Sequence, residues 1–90
     1  GQAGMHTVEL LEQCCDVARH LGYQIRHEWL GGSGGGACEF GGRKWIFVDL
    51  ALNADEQLAQ VSEALQRDPG IHLCQLNGPL SRQLGLRRAA

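Results

Sequence analysis

The sequence predicts one small α+β domain: an antiparallel sheet of three strands packed by two helices, in the order α-β-β-β-α. A short β-like run near the C-terminus is a candidate fourth strand. Three observations carry this prediction. Apolar residues recur with helical period over residues 7–21 and again over 54–65. Between those stretches the period falls to two, over 23–30, 37–40 and 43–50. Gly22, Gly41-Gly42 and Asp68-Pro69-Gly70 punctuate the pattern where turns are needed.

In the first helix, Val8, Leu10, Leu11, Cys14, Cys15, Val17, Ala18 and Leu21 fill one half of the wheel. Glu9, Glu12, Gln13, Asp16, Arg19 and His20 fill the other, so both cysteines belong to the buried side. Gly22 stands where a helix end takes left-handed backbone. In the next strand Tyr23, Ile25, His27 and Trp29 alternate with Gln24, Arg26 and Glu28. The glycine-rich stretch 31–36 then reads as a flexible connection or a place where backbones approach closely.

A hairpin follows, 37–40 and 43–50, closed by Gly41-Gly42, which supply the positive φ of a tight two-residue turn. That register sets Cys38 opposite Trp45 and Glu39 opposite Lys44, an opposite-charge pair contributing roughly 0.2–1 kcal/mol. Asn53, with Glu56 three residues on, opens the second helix as an N-x-x-E variant of the capping box. Ala54, Leu58, Val61 and Leu65 form its narrow apolar stripe, and Asp68-Pro69-Gly70 stops it. Residues 71–76 are the candidate fourth strand. Asn77-Gly78-Pro79 turns the chain into a C-terminal tail, 77–90.

The third strand is apolar on both sides. Trp45 and Phe47 point one way; Ile46, Val48 and Leu50 point the other. Both sides therefore call for cover, since burying one such side chain is worth about 1.5–3 kcal/mol. Two helices close one face of a small sheet. The other must be closed by the tail, by a second copy of the chain, or by a partner or ligand.

At 90 residues the chain holds a single core, drawn here over 5–76. A domain of this size buries roughly 60% of its unfolded surface and is modestly stable alone. Gly1 to Gly4, ahead of Met5, read as a tag remnant outside the fold. Eight basic and ten acidic residues give a net charge of −2 with the signs interspersed, which speaks against a nucleic-acid or anionic-membrane surface. Arg82, Arg87 and Arg88 read as a solvated terminus. No apolar run is long enough for a membrane span and no leader is expected, so the reading is cytoplasmic. The four cysteines, two of them adjacent on a helix, read as free thiols in a reducing compartment rather than a disulfide framework.

Chemical motifs are sparse. Phosphate loops combine converging backbone N–H groups with a following helix and a G-K-[ST] signature; here the glycines lead into a strand and the signature is missing. Cys38 could act as a nucleophile with His27 as base and Asp49 or Glu28 as orienting carboxylate, although the spacing selects none of them, and a core cysteine beside Trp45 is the simpler reading. Zinc favours C-x-x-C or H-x-x-x-H pairs. The chain has neither, and His72 with Cys74 would merely share a strand face. No catalytic residue, metal ligand or cofactor is assigned.

Residues 23–66 resemble the opening of ImmA/IrrE-type zinc metallopeptidases in their succession of strand, loop, hairpin, strand ending near Asp49-Leu50, and polar-capped helix. In that family the helix carries HExxH. Here the corresponding Val61-Ser62-Glu63-Ala64-Leu65-Gln66 offers Glu63 alone, on the side of the helix away from the apolar stripe. The resemblance implies a related topology without peptidase activity. The stretch 28–38, Glu-Trp-Leu-Gly-Gly-Ser-Gly-Gly-Gly-Ala-Cys, is also similar to small, uncharacterised bacterial proteins, which imply no activity. Two expectations follow. The first is a non-enzymatic interaction module or accessory protein that joins itself or another protein through the second sheet face, with Trp29, Trp45 and Phe47 as its surface. The second is a small thiol- or metal-dependent enzyme built on Cys38 and His27.

Overall fold

Helical periodicity becomes α1 over Met5–His20 and α2 over Ala54–Gln66, and alternation becomes β1 (Tyr23–Glu28), β2 (Gly36–Phe40) and β3 (Arg43–Asp49). The structure is a computed structural model describing residues 5–86. The tetrad 1–4, and Arg87 and Arg88 of the terminal cluster, lie outside the described residues. In α1, Leu10, Cys14, Cys15 and Ala18 are buried, with Leu11, Val17 and Leu21 packed at the margin; Val8, assigned to the buried half, is largely exposed. In α2 the buried stripe of Leu58, Val61 and Leu65 is widened by Ser62 and Ala64. Both bonds of the capping box are present: the Glu56 N–H donates to Asn53 Oδ1 at 2.8 Å and the Asn53 N–H donates to Glu56 Oε1 at 3.0 Å.

The hairpin register is as the sequence predicts, with Cys38 opposite Trp45, Glu39 opposite Lys44 and Phe40 opposite Arg43. Gly41 and Gly42 both hold positive φ, 60° and 74°, as a two-residue turn of this hand requires. The charge pairing differs. Lys44 turns its ammonium to Asp68 Oδ2 (3.0 Å) and to the Leu21 carbonyl (2.9 Å), 4.2 Å above the Tyr23 ring. Asp68 also accepts from the Tyr23 hydroxyl at 2.7 Å. A carboxylate backed by a phenol and a helix-end carbonyl outcompetes the solvated Glu39.

The sheet is mixed rather than antiparallel. Its order is β1-β3-β2, with β1 parallel to β3 and β2 antiparallel to it. Residues 29–35 carry the chain across the end of a strand-wide gap, and β3 returns from the hairpin to fill it. The physical reason lies in the side chains. β3 is apolar on both faces and belongs in the middle, whereas β1, with Arg26, His27 and Glu28, tolerates an edge.

No fourth strand forms. Residues Pro69–Leu73 make a 3-10 turn, which Asp68 caps by accepting from the Gly70 N–H at 2.8 Å. Only Ile71 of that turn is buried, so the run lacks the alternation a strand needs. The tail also does not stand apart. Asn77 caps a third helix, α3 (Gly78–Gln83), through the Leu80 N–H at 2.8 Å. Leu80 and Leu84 are buried in the common core, and α3 packs on α1. The domain therefore extends to Leu86 among the described residues, beyond the boundary drawn at 76.

All three helices lie on one side of the sheet. Ile46 and Val48 of β3 face them and are fully buried. The Cα envelope of 42 × 39 × 16 Å is that of one helix layer on one sheet layer.

Candidate functional site

Alternation along the strands decides which side chains reach the uncovered side of the sheet. From β3 these are Arg43, Trp45, Phe47 and, under the loop 29–35, Asp49; from β2, by register, Gly36, Cys38 and Phe40; from β1, Gln24, Arg26 and Glu28. Three of them form a row. The Phe40 and Trp45 rings stack with centroids 5.4 Å apart and planes 7° from parallel, and Trp45 stacks on Phe47 at 6.1 Å and 20°. Offset stacking at these separations is a favourable aromatic geometry. Mutual packing leaves Trp45 and Phe47 half-buried, while Phe40 remains 57% exposed. The Trp45 indole N–H is buried in this stack with no acceptor among the described residues. Beside the row, Arg26 donates to Glu28 at 2.7 Å, so the charged margin of the face is internally paired.

Of the sequence-predicted surface, Trp45 and Phe47 meet on this face. Trp29 does not join the strand: β1 ends at Glu28, and Trp29 stands in the following loop at 76% exposure. Phe40 was missed. Its signal was available in the hairpin register, because Phe40, Cys38, Trp45 and Phe47 share one parity around a two-residue turn.

The tail does not cover the aromatic row. Leu80 and Leu84 enter the core on the helix side, and no described helix packs over the aromatic row, while the loop 29–35 closes the Asp49 end of that face.

The glycine-rich loop is held rather than loose. Asp49, buried at the end of β3, accepts from the backbone N–H groups of Leu30 (3.0 Å), Gly32 (2.7 Å) and Ala51 (2.9 Å). Burial works to raise its pKa, yet these donors together hold the carboxyl below the usual 3.8. The anion bound by this loop is the chain's own carboxylate. Gln60 adds a second tie, accepting from the Asp49 N–H and donating to the Gly34 carbonyl, each at 3.0 Å. Gly35 passes so close to Gln60 and the Phe47 carbonyl that no side chain fits. The close backbone approach expected of this stretch is present.

The thiol constellation is not assembled. β1 and β2 are opposite edges of the sheet. His27 lies on the helix side, lining a groove with Cys15 and Arg19, whereas Cys38 is exposed on the aromatic side. Asp49 is committed to the loop and Glu28 to Arg26. Burial pushes the Cys14 thiol up to about 11 and also raises Cys15, so neither is an activated nucleophile. His72 and Cys74 do not share a strand, because that segment is a 3-10 turn. Among the described residues no three His, Cys, Asp or Glu side chains converge as metal ligands. Glu63, the residue matched to the metallopeptidase helix, is exposed and paired with Arg67 at 2.8 Å.

No family model, curated protein or solved structure matches the chain. No helix is long and apolar enough among the described residues to cross a membrane.

A second polar cluster, Tyr23, Lys44 and Asp68, sits under the opposite end of the sheet. Burial, then the Asp68 bond, pushes the Tyr23 phenol up to about 12, and the Tyr23 and Lys44 bonds lower Asp68. Every member is satisfied internally. This cluster joins α1, the sheet and the 3-10 turn; it presents no free group to a ligand.

Proposed function

We propose that this chain is a non-enzymatic interaction module that self-associates through the aromatic side of its sheet. The observation carrying this reading is the stacked row Phe40–Trp45–Phe47, over which no described helix packs. Apolar patches of this kind on a small domain mark contact surfaces. Each large aromatic moved from partial to full burial stabilises an assembly by up to about 1.5–3 kcal/mol. A second copy is the simplest partner, because a two-fold contact presents the same patch from both sides. A reducing, cytoplasmic setting suits the free and exposed Cys38.

Sedimentation velocity from micromolar to near-millimolar chain tests the reading. The expected result is a reversible dimer. Phe40→Ser, at an exposed position whose loss spares the core, should weaken it about 30-fold, the effect of removing a contact worth about 2 kcal/mol. A chain that stays monomeric across that range overturns the proposal.

A further inference from the structure

We infer that the second copy docks edge to edge, strand β2 against strand β2, to make one six-stranded sheet centred on Cys38. This rests on the self-association reading and specifies its geometry. A sheet edge pairs by directional main-chain hydrogen bonds, which contact between side-chain faces does not supply.

Residues Gly36–Phe40 are the barest margin of the sheet: every residue from Ala37 to Phe40 is exposed, and Glu39 is its one charge. In a two-residue hairpin the closing pair exchanges hydrogen bonds, and narrow and wide pairs then alternate. Phe40, Cys38 and Gly36 therefore direct their backbone groups to β3, and Ala37 and Glu39 direct theirs outward. No other described group bonds those outward N–H and C=O groups.

Only certain two-fold registers join outward groups to outward groups. Centring on Glu39 sets two carboxylates face to face. Centring on Ala37 runs the pairing into the loop. Centring on Cys38 pairs all five residues: Ala37 exchanges bonds with the second copy's Glu39, and Phe40 lies over the second copy's Gly36. There a missing side chain makes room for the ring. On the second copy that glycine neighbours Phe47, so Phe40 reaches the other aromatic row and the two rows become continuous. The two Cys38 side chains meet at the axis as a non-hydrogen-bonded pair, the closer type.

Charge on the helix side agrees. Gln60 is fixed beside Gly34 and Asp49, and Asp68 beside Lys44, which places Ala64 and Leu65 of α2 abreast of Cys38. The same two-fold axis thus sets Glu63 of one copy opposite Arg67 of the other. Both are well exposed and line the groove under β2.

The test uses the intact chain. Diamide should couple Cys38 to Cys38: two thiols lose their protons and two electrons to the diazene, which becomes a hydrazine as one S–S bond forms. Cys38→Ser should abolish the covalent dimer. Ala37→Pro removes an outward donor while leaving the β2–β3 bonds in place, and should weaken the dimer at least about tenfold with an unchanged circular dichroism spectrum. Arg67→Glu should weaken it and added Glu63→Arg restore it. A dimer that ignores Ala37→Pro and does not couple through Cys38 overturns the edge geometry and leaves self-association standing. A monomer under every condition overturns both.

Discussion

Asp49 ends β3 with its carboxylate buried in the loop that joins β1 to β2. Three backbone donors converge on it, and its pKa is lowered from 3.8 against the opposing effect of burial. The linkage runs in one direction. A group whose folded pKa lies below its unfolded value adds stability at higher pH, and that stability is lost as pH falls through 3.8 toward the folded pKa. Asp68 acts in the same sense, through Tyr23 and Lys44. Urea titrations between neutrality and strong acid should show stability falling across that window, and Asp49→Asn should flatten the fall. An unchanged pH slope in the variant would remove Asp49 as the anchor of the loop. Asp49 was legible from the sequence only as a possible orienting carboxylate for Cys38. Its true partners are loop amides 17 to 19 positions away, and no local pattern announces them.

The connection 29–35 and the strands it joins show how an element takes its form from its neighbours. Gly35 has φ +104° and lies where a Cβ would come 2.8 Å from the Phe47 carbonyl and closer still to Gln60. Gly32 has φ +82° with open space around it. Gly32→Ala should therefore cost about 1–2 kcal/mol, the intrinsic penalty of left-handed backbone. Gly35→Ala should cost more, about 2–4 kcal/mol, because the loop must also move off α2. Chemical denaturation of the two variants separates the effects, and equal losses would mean that Gln60 yields freely. The hairpin, both long helices and the capping box at Asn53 were readable because each is written within a few residues. The segment 71–76 reads as a strand because Ile71, Leu73 and Leu76 look β-like in isolation, yet the Asp68-Pro69 cap commits the backbone to a helical turn.

The molecule as a whole is a plate with a finished side and an unfinished one. Helices α1, α2 and α3 close the side of Ile46 and Val48; the side of Trp45 and Phe47 ends in an aromatic row. If two plates join as proposed, folding and association are linked, and the melting temperature rises with chain concentration. Scanning calorimetry over about a hundredfold dilution should show Tm falling with dilution, with Ala37→Pro less sensitive to it at the same concentrations. A Tm independent of concentration for the unaltered chain would contradict the linkage.

Periodicity, turn residues and caps told, from the chain alone, that β3 has two apolar faces, that a Gly-Gly hairpin sets Cys38 against Trp45, and that helices flank the strands. These are short-range matters of backbone preference and side-chain parity. The parallel pairing of β1 with β3, the placement of α3 in the core and the open state of the aromatic side arose in three dimensions. They depend on contacts between distant segments, where several arrangements satisfy the same local pattern and the burial of Ile46, Val48, Leu80 and Leu84 together selects one.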